Sequence, residues 1–153
     1  MIRRRATGRL LRCLLLLAVL GALGLQGVEA QTSDPMQQAA TEVARAWAAG
    51  GDRAVVAHLA AGRISLHLEG NVSAALPTRQ AGVVLRDYLR GYESGEVEMG
   101  RVALVEGSSE RGFAEIQWSA RRVGTSQTLV RTIFLGLREE SGSWLVDEVR
   151  VLP

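Results

Sequence analysis

The sequence predicts an α+β fold in which helices pack on one face of a curved antiparallel sheet. Apolar residues recur at helical spacing in the first half of the chain, alternate with polar residues in the second half, and short turn signals separate the alternating segments. The predicted order is helix, helix, strand, helix and then four long strands. This order is typical of helices that cover one face of a single sheet.

Two helices are predicted at the start of the domain. Asp34-Pro35 indicates the first, because aspartate accepts hydrogen bonds from free amides and proline fits the first helical turn. Gly50-Gly51 ends it, and its apolar stripe consists of Met36, Ala40, Val43 and Trp47. Asp52 is expected to cap a second, short helix that ends at Gly62. Its inward-facing residues are expected to be Val55, Val56 and Leu59.

A strand and a third helix follow. Apolar and polar residues alternate from 64 to 69, as a half-buried strand requires, and Gly70-Asn71 then turns the chain. The third helix is predicted to begin at Pro77-Thr78 and to end before Gly95. Its core-facing stripe is predicted to contain Ala81, Val84, Leu85, Tyr88, Leu89 and Tyr92.

The last third of the chain predicts an antiparallel meander, because short turn signals separate long alternating segments. The alternation in the last segment slips by one residue at Asp147-Glu148, which predicts a bulge that bends this strand. The predicted strands are Glu96–Glu106, Phe113–Val123, Gln127–Arg138 and Trp144–Leu152.

The first thirty residues have the pattern of a removable signal peptide. Five arginines precede or adjoin an apolar run from Cys13 to Leu25, and Val28-Glu29-Ala30 offers small side chains where a signal peptidase cleaves. A transmembrane helix needs ~20 apolar residues, and this run is shorter and interrupted by glycine. We therefore expect cleavage before Gln31, a periplasmic or secreted protein, one domain over residues 31–153, and no membrane span after cleavage.

Removal of this leader changes the charge of the chain. Thirteen arginines, fifteen acidic residues and no lysine remain, so the mature domain is slightly acidic. A nucleic-acid partner is not expected, because it needs a basic face. The single cysteine leaves with the leader, which excludes disulfides and thiolate chemistry. The two histidines lack a recognised ligand spacing, so no metal and no cofactor is expected.

Two stretches resemble an uncharacterised family of small exported bacterial domains: Leu76 to Ala81 running on to Tyr88, and Gly107-Ser108-Ser109 with Gly112-Phe113-Ala114. Members of that family have, or are expected to have, the cone-shaped fold of nuclear transport factor 2. The resemblance extends from about Ala40 to the C-terminus. It implies three N-terminal helices on a curved antiparallel sheet. Its motifs are structural, so no catalytic residue is carried over from it.

Enzymes such as ketosteroid isomerases and epoxide hydrolases share this cone, so a small hydrolase or isomerase is the alternative function. General acid or base catalysis needs a titratable group in the pocket with a pKa near the working pH. His67 is expected to point away from the core, His58 to lie at the edge of the second helix and Asp87 on a solvated face. The sequence therefore predicts no catalytic residue.

A binding or assembly role remains. Aromatic side chains with a polar end suit the mouth of a cone, and the candidates are Trp47, Tyr88, Tyr92 and Trp118. The alternative is that these four are ordinary core residues. The expected partner is a small apolar ligand or a protein of the cell envelope. The long strands also carry apolar groups on both faces, including Phe113 and Phe134, which predicts a homodimer.

Overall fold

The computed structural model describes residues 34–69, 71–72 and 75–153. The predicted signal peptide lies outside these residues. Three helices and three short strands come first. They are α1 (Pro35–Ala48), α2 (Asp52–Ala57), β1 (Arg63–Leu68), β2 (Asn71–Val72), β3 (Leu76–Pro77) and α3 (Thr78–Leu89).

Four long strands follow and confirm the predicted meander. They are β4 (Glu96–Leu104), β5 (Arg111–Arg121), β6 (Thr128–Glu140) and β7 (Ser143–Leu152). The order across the sheet is β2-β1-β7-β6-β5-β4, and β3 pairs with β1 outside this path. Neighbouring long strands are antiparallel, whereas β1 runs parallel to β7. The parallel pair is not predicted by the sequence, because hairpin signals report only on pairs that are adjacent along the chain.

Helix α1 begins and ends as predicted. The Asp34 carboxylate accepts a hydrogen bond from the Met36 amide at 3.0 Å, which satisfies one of the free donors of the first turn. Gly50 has φ +63, a left-handed conformation that favours glycine after a helix end. The buried face contains the four predicted residues and adds Ala44.

The predicted ends of α2 are wrong. The cap position is occupied by Gly51, and Asp52 is the first helical residue, where its carboxylate accepts from the Arg53 amide at 2.6 Å. The helix stops at Ala57 rather than near Gly62. Gly62 instead lies in the turn before β1, where its carbonyl accepts from the Thr78 amide.

A single core lies between the helices and one face of the sheet. Every second residue of β5 from Gly112 to Ala120 is buried on this face, and β1 and β6 contribute matching apolar rows. The bulge in β7 is confirmed, since the β6–β7 register shifts between Gly136 and Leu137 and leaves Asp147 unpaired in the ladder. Asp147 is buried and bonded to Arg111 at 3.0 Å.

These features confirm the α+β fold class, with helices on one face of a curved sheet that is antiparallel except for the β1–β7 pair. Within the described ranges, no helix has the length and apolar character needed to cross a bilayer.

Candidate functional site

The four predicted aromatic residues form one group, which we call the aromatic cluster: Trp47, Tyr88, Tyr92 and Trp118. Trp118 lies at its centre, with its ring centroid 4.8 Å from that of Tyr92 and 5.8 Å from that of Trp47. Tyr88 lies 5.2 Å from Tyr92 and 6.4 Å from each tryptophan. Edge-on and tilted contacts at these distances are favourable arrangements of aromatic rings.

Each ring of the cluster belongs to a different part of the fold. Trp47 belongs to the last turn of α1, Tyr88 to the last turn of α3, and Trp118 to the helix-facing side of β5. Tyr92 is not on α3 as predicted, because that helix ends at Leu89. It is held instead by a bridge to Arg122, beside a hydrogen bond from the Val123 amide to the Gly91 carbonyl.

Both tryptophans of the cluster are buried in the core. Trp47 is 1% exposed, Trp118 2% and Tyr92 9%, while Tyr88 is half-buried. The indole nitrogens of Trp47 and Trp118 and the hydroxyl of Tyr88 are inaccessible and have no hydrogen-bond partner among the described residues. The large majority of buried side-chain polar atoms have such a partner, so three exceptions in one cluster are unusual.

An ion pair lies beside the cluster. Arg131 donates from Nε and Nη2 to the two carboxylate oxygens of Glu69, at 3.0 and 2.8 Å. Arg131 is directly opposite Trp118 across the β5–β6 ladder, and its side chain is only 16% exposed. A two-pronged arginine–carboxylate contact of this kind holds both groups in fixed positions.

Arg131 was not predicted as a site residue, although its sequence context contains a signal. Leu129, Ile133, Leu135 and Leu137 share one side of β6 with Arg131. A single arginine in such an apolar row is partly buried, so it requires a negatively charged partner that is buried to a similar extent. The partner, Glu69, immediately follows β1, and these strands are not neighbours in the sheet, so periodicity alone does not connect them.

The ion pair and the cluster influence each other electrostatically. Hydrogen bonds from Arg131 hold the pKa of Glu69 below its usual value, and the same contact raises the pKa of Arg131. The pKa of Tyr88 is raised, first by burial and then by the hydroxyl of Tyr92 and the carboxylate of Glu69. The two phenols are close enough for this effect, but their geometry does not form a hydrogen bond. Tyr88 is therefore a neutral donor.

The titratable residues considered for catalysis lie elsewhere. His67 faces outward from β1, with Nε2 3.8 Å from a carboxylate oxygen of Glu148. Asp87 is exposed and lies 3.5 Å from Arg90. His58 lines a cleft with Glu42 and Ser143, but no hydrogen bond links these three side chains. In the described part of the chain, no group of three or more histidine, cysteine or acidic residues is placed to hold a metal ion.

Solved structures are similar to this chain in fold. One is a DUF4783 family protein from Bacteroides uniformis, with a TM-score of 0.61, 12% identity, and coverage of 72% of this chain and 93% of that one. Another is a nuclear-transport-factor-2-like protein of unknown function from Shewanella oneidensis, with a TM-score of 0.58, 13% identity, and coverage of 77% and 96%. A ketosteroid isomerase-like protein from Erwinia carotovora atroseptica has a TM-score of 0.59, 17% identity, and coverage of 76% and 91%.

These similarities establish the fold. The chain has the nuclear-transport-factor-2-like architecture, as the sequence resemblance implied, and several similar structures are of uncharacterised proteins. No family model matches the sequence, and no curated protein matches it either. At these identities the fold does not transfer an activity.

Proposed function

We propose that this chain is an exported, noncatalytic binding domain that holds a small, largely apolar ligand in the cell envelope. The supporting observation is the aromatic cluster, in which Trp47, Tyr88 and Trp118 each carry a buried donor without a partner among the described residues. An unsatisfied buried donor costs about 1–3 kcal/mol. These donors are inaccessible in the structure described, so a ligand must displace part of the surrounding side chains to reach them, and by accepting their hydrogen bonds it would recover part of that energy.

The donors define the polar groups that the ligand carries. An indole N–H donates and cannot accept, and the raised pKa of Tyr88 keeps its hydroxyl protonated. The ligand therefore presents acceptors, such as carbonyl or ether oxygens, on an apolar frame. Glu69 and Arg131 neutralise each other, and the other charge beside the cluster is the exposed Arg122, whose guanidinium carbon lies 5.9 Å from the centre of the Tyr92 ring. A cationic ligand would therefore lose its hydration without a counter-charge. This argument favours a neutral ligand over a cationic one.

The electrostatics support binding over the alternative of a small hydrolase or isomerase. A general base or acid works best when its pKa approaches the working pH. The pKa of Glu69 is moved down and that of Tyr88 is moved up, so both shifts lead away from neutrality. Glu69 is also engaged by Arg131 through both oxygens.

Export is supported by the leader pattern in residues 1–30. The matching experiment is N-terminal sequencing of the protein recovered from the culture medium or the periplasm. A first residue of Gln31 is expected. Recovered protein that begins at Met1 would contradict cleavage.

Ligand binding is tested by tryptophan fluorescence in a Trp144→Phe background. The chain has three tryptophans, so this change leaves only the two in the cluster. The probes are cyclohexyl phenyl ketone and benzylcyclohexane, which has a methylene group in place of the carbonyl. We expect saturable quenching, with the ketone bound about five- to tenfold more tightly because it accepts a hydrogen bond.

Tyr88→Phe provides the matched variant, since it removes one donor and keeps the ring. It is expected to reduce the preference for the ketone and to leave the affinity for the hydrocarbon nearly unchanged. Equal affinities for both probes in the parent protein would contradict the acceptor argument. No saturable change with either probe would favour a protein partner in place of a small ligand.

A further inference from the structure

The cleft that His58 lines lies away from the aromatic cluster and shares no residue with it. The N-terminal part of α1, the residue after α2, the turn between β6 and β7 and the start of β7 line an open cleft of about 330 Å³. Its walls include Gln38, Glu42, His58 and Trp144. This volume is at the lower end of the range for small-molecule sites.

The cleft has one carboxylate in its wall, that of Glu42, and no arginine lines it. Gln38 donates to one carboxylate oxygen of Glu42 at 3.1 Å, which orients the group without neutralising it. Within the described ranges Glu42 forms no ion pair, although eight such pairs occur elsewhere.

An aromatic wall accompanies this carboxylate. Trp144 is half-buried at the start of β7 and makes no ring contact with the other aromatic residues described. The face of an indole attracts cations through its quadrupole. The imidazole of His58 has no hydrogen-bond partner among the described side chains, so in its neutral form it can accept from an ammonium N–H or a hydroxyl.

We propose that this cleft is a binding site for a small organic ammonium ion. Glu42 supplies the counter-charge, Trp144 the cation–π surface and His58 an acceptor for a polar end of the ligand. The limited volume fits a free small molecule, and the ammonium headgroup of a lipid is the other source of the same chemistry.

The test is an NMR titration of the ¹⁵N-labelled protein with choline and with 3,3-dimethyl-1-butanol, which has the same shape without the charge. Choline is expected to shift the Trp144 indole N–H and the amides of residues 42 and 58 saturably, whereas the alcohol leaves them in place. Glu42→Gln and Trp144→Leu should each weaken choline binding by about three- to tenfold. Glu98→Gln, an exposed acid on the far side of the sheet, is the control and should have no effect.

Three results would overturn the proposal. One is equal binding of choline and the neutral alcohol. Another is unchanged choline affinity in Glu42→Gln. Because Glu42 is exposed, this variant should fold, and its affinity can be measured. The third is binding to phosphatidylcholine vesicles without binding of free choline, which would assign the cleft to a lipid surface. None of them depends on the aromatic cluster, so the two sites are judged separately.

Discussion

At the scale of single residues, aromatic positions were easier to predict than charged ones. The stripes of α1 and α3 and the alternation of β5 place Trp47, Tyr88 and Trp118 toward the core from local sequence alone. The contact between Arg131 and Glu69 joins residues that are 62 positions apart in the sequence. No local pattern contains that contact, so the pairing of the two residues could not be predicted from the sequence.

The hydroxyl of Tyr88 is predicted to lower stability. It is buried without a partner, so Tyr88→Phe should raise the free energy of unfolding by about 1 kcal/mol. Urea denaturation of both proteins measures the difference. The control is Tyr92→Phe, because the Tyr92 hydroxyl is not among the buried unpaired atoms. A stability loss in Tyr88→Phe larger than in the control would mean that this hydroxyl has a partner in the folded protein.

The ion pair predicts a pH dependence of stability. The pKa of Glu69 is lowered in the folded chain, so its contribution is present above the usual carboxyl pKa and is lost as the pH falls through the folded value. Glu69→Gln should cost about 0.5–1 kcal/mol near neutral pH, since the pair is partly exposed. At about pH 3 the cost should be smaller. Denaturant titrations at both pH values measure it, and an equal cost at both would contradict the assignment.

At the scale of elements, periodicity predicted helices and strands better than their ends. The bulge at Asp147 and the start of α1 follow from local signals and are confirmed. The cap of α2 is displaced by one residue because Gly51 takes the cap position. Tyr92 lies beyond α3 because a bridge to Arg122, the residue after β5, replaces the last helical turn that the stripe predicted.

The core face of α3 gives a stability prediction with an internal control. Leu85 is fully buried, so Leu85→Ala should lower the free energy of unfolding by about 2–5 kcal/mol. Val83 lies on the same helix and is 45% exposed, so Val83→Ala should cost less than about 1 kcal/mol. Thermal or urea denaturation compares the two. Equal losses would show that the two faces of α3 were assigned wrongly.

At the scale of the whole molecule, the fold was predictable and the ligand was not. Element order and turn chemistry restrict the architecture to helices on one face of a meander. The proposed sites consist of a few side chains that converge from distant segments, such as Trp144 and Glu42 in the cleft beside His58. These side chains come together only in the folded chain. The sequence therefore predicted a binding role without predicting the chemical class of the ligand.

The outer face of the sheet carries apolar side chains. Phe113, Phe134 and Leu152 line a groove of about 440 Å³ on this face, and Val130 on the same side is 56% exposed. The guanidinium of Arg101 lies 5.4 Å from the centre of the Phe113 ring and covers part of it. Glu148 and Arg150 also line the groove, so its apolar side chains have charged neighbours. Exposed apolar patches with a polar rim are typical of interaction sites.

We propose that a second copy of the chain covers this face, as the long strands predicted. A stable interface buries about 800 Å² on each partner, which requires most of the outer surface of β5, β6 and β7. Phe134→Glu should therefore convert a dimer to a monomer, because it places a charge in the centre of the contact. Sedimentation equilibrium over a range of concentrations measures the mass of both proteins, and Val83→Glu on the helical side is the control. A monomeric parent protein at the highest concentration would contradict the dimer, and so would dissociation by the control substitution alone.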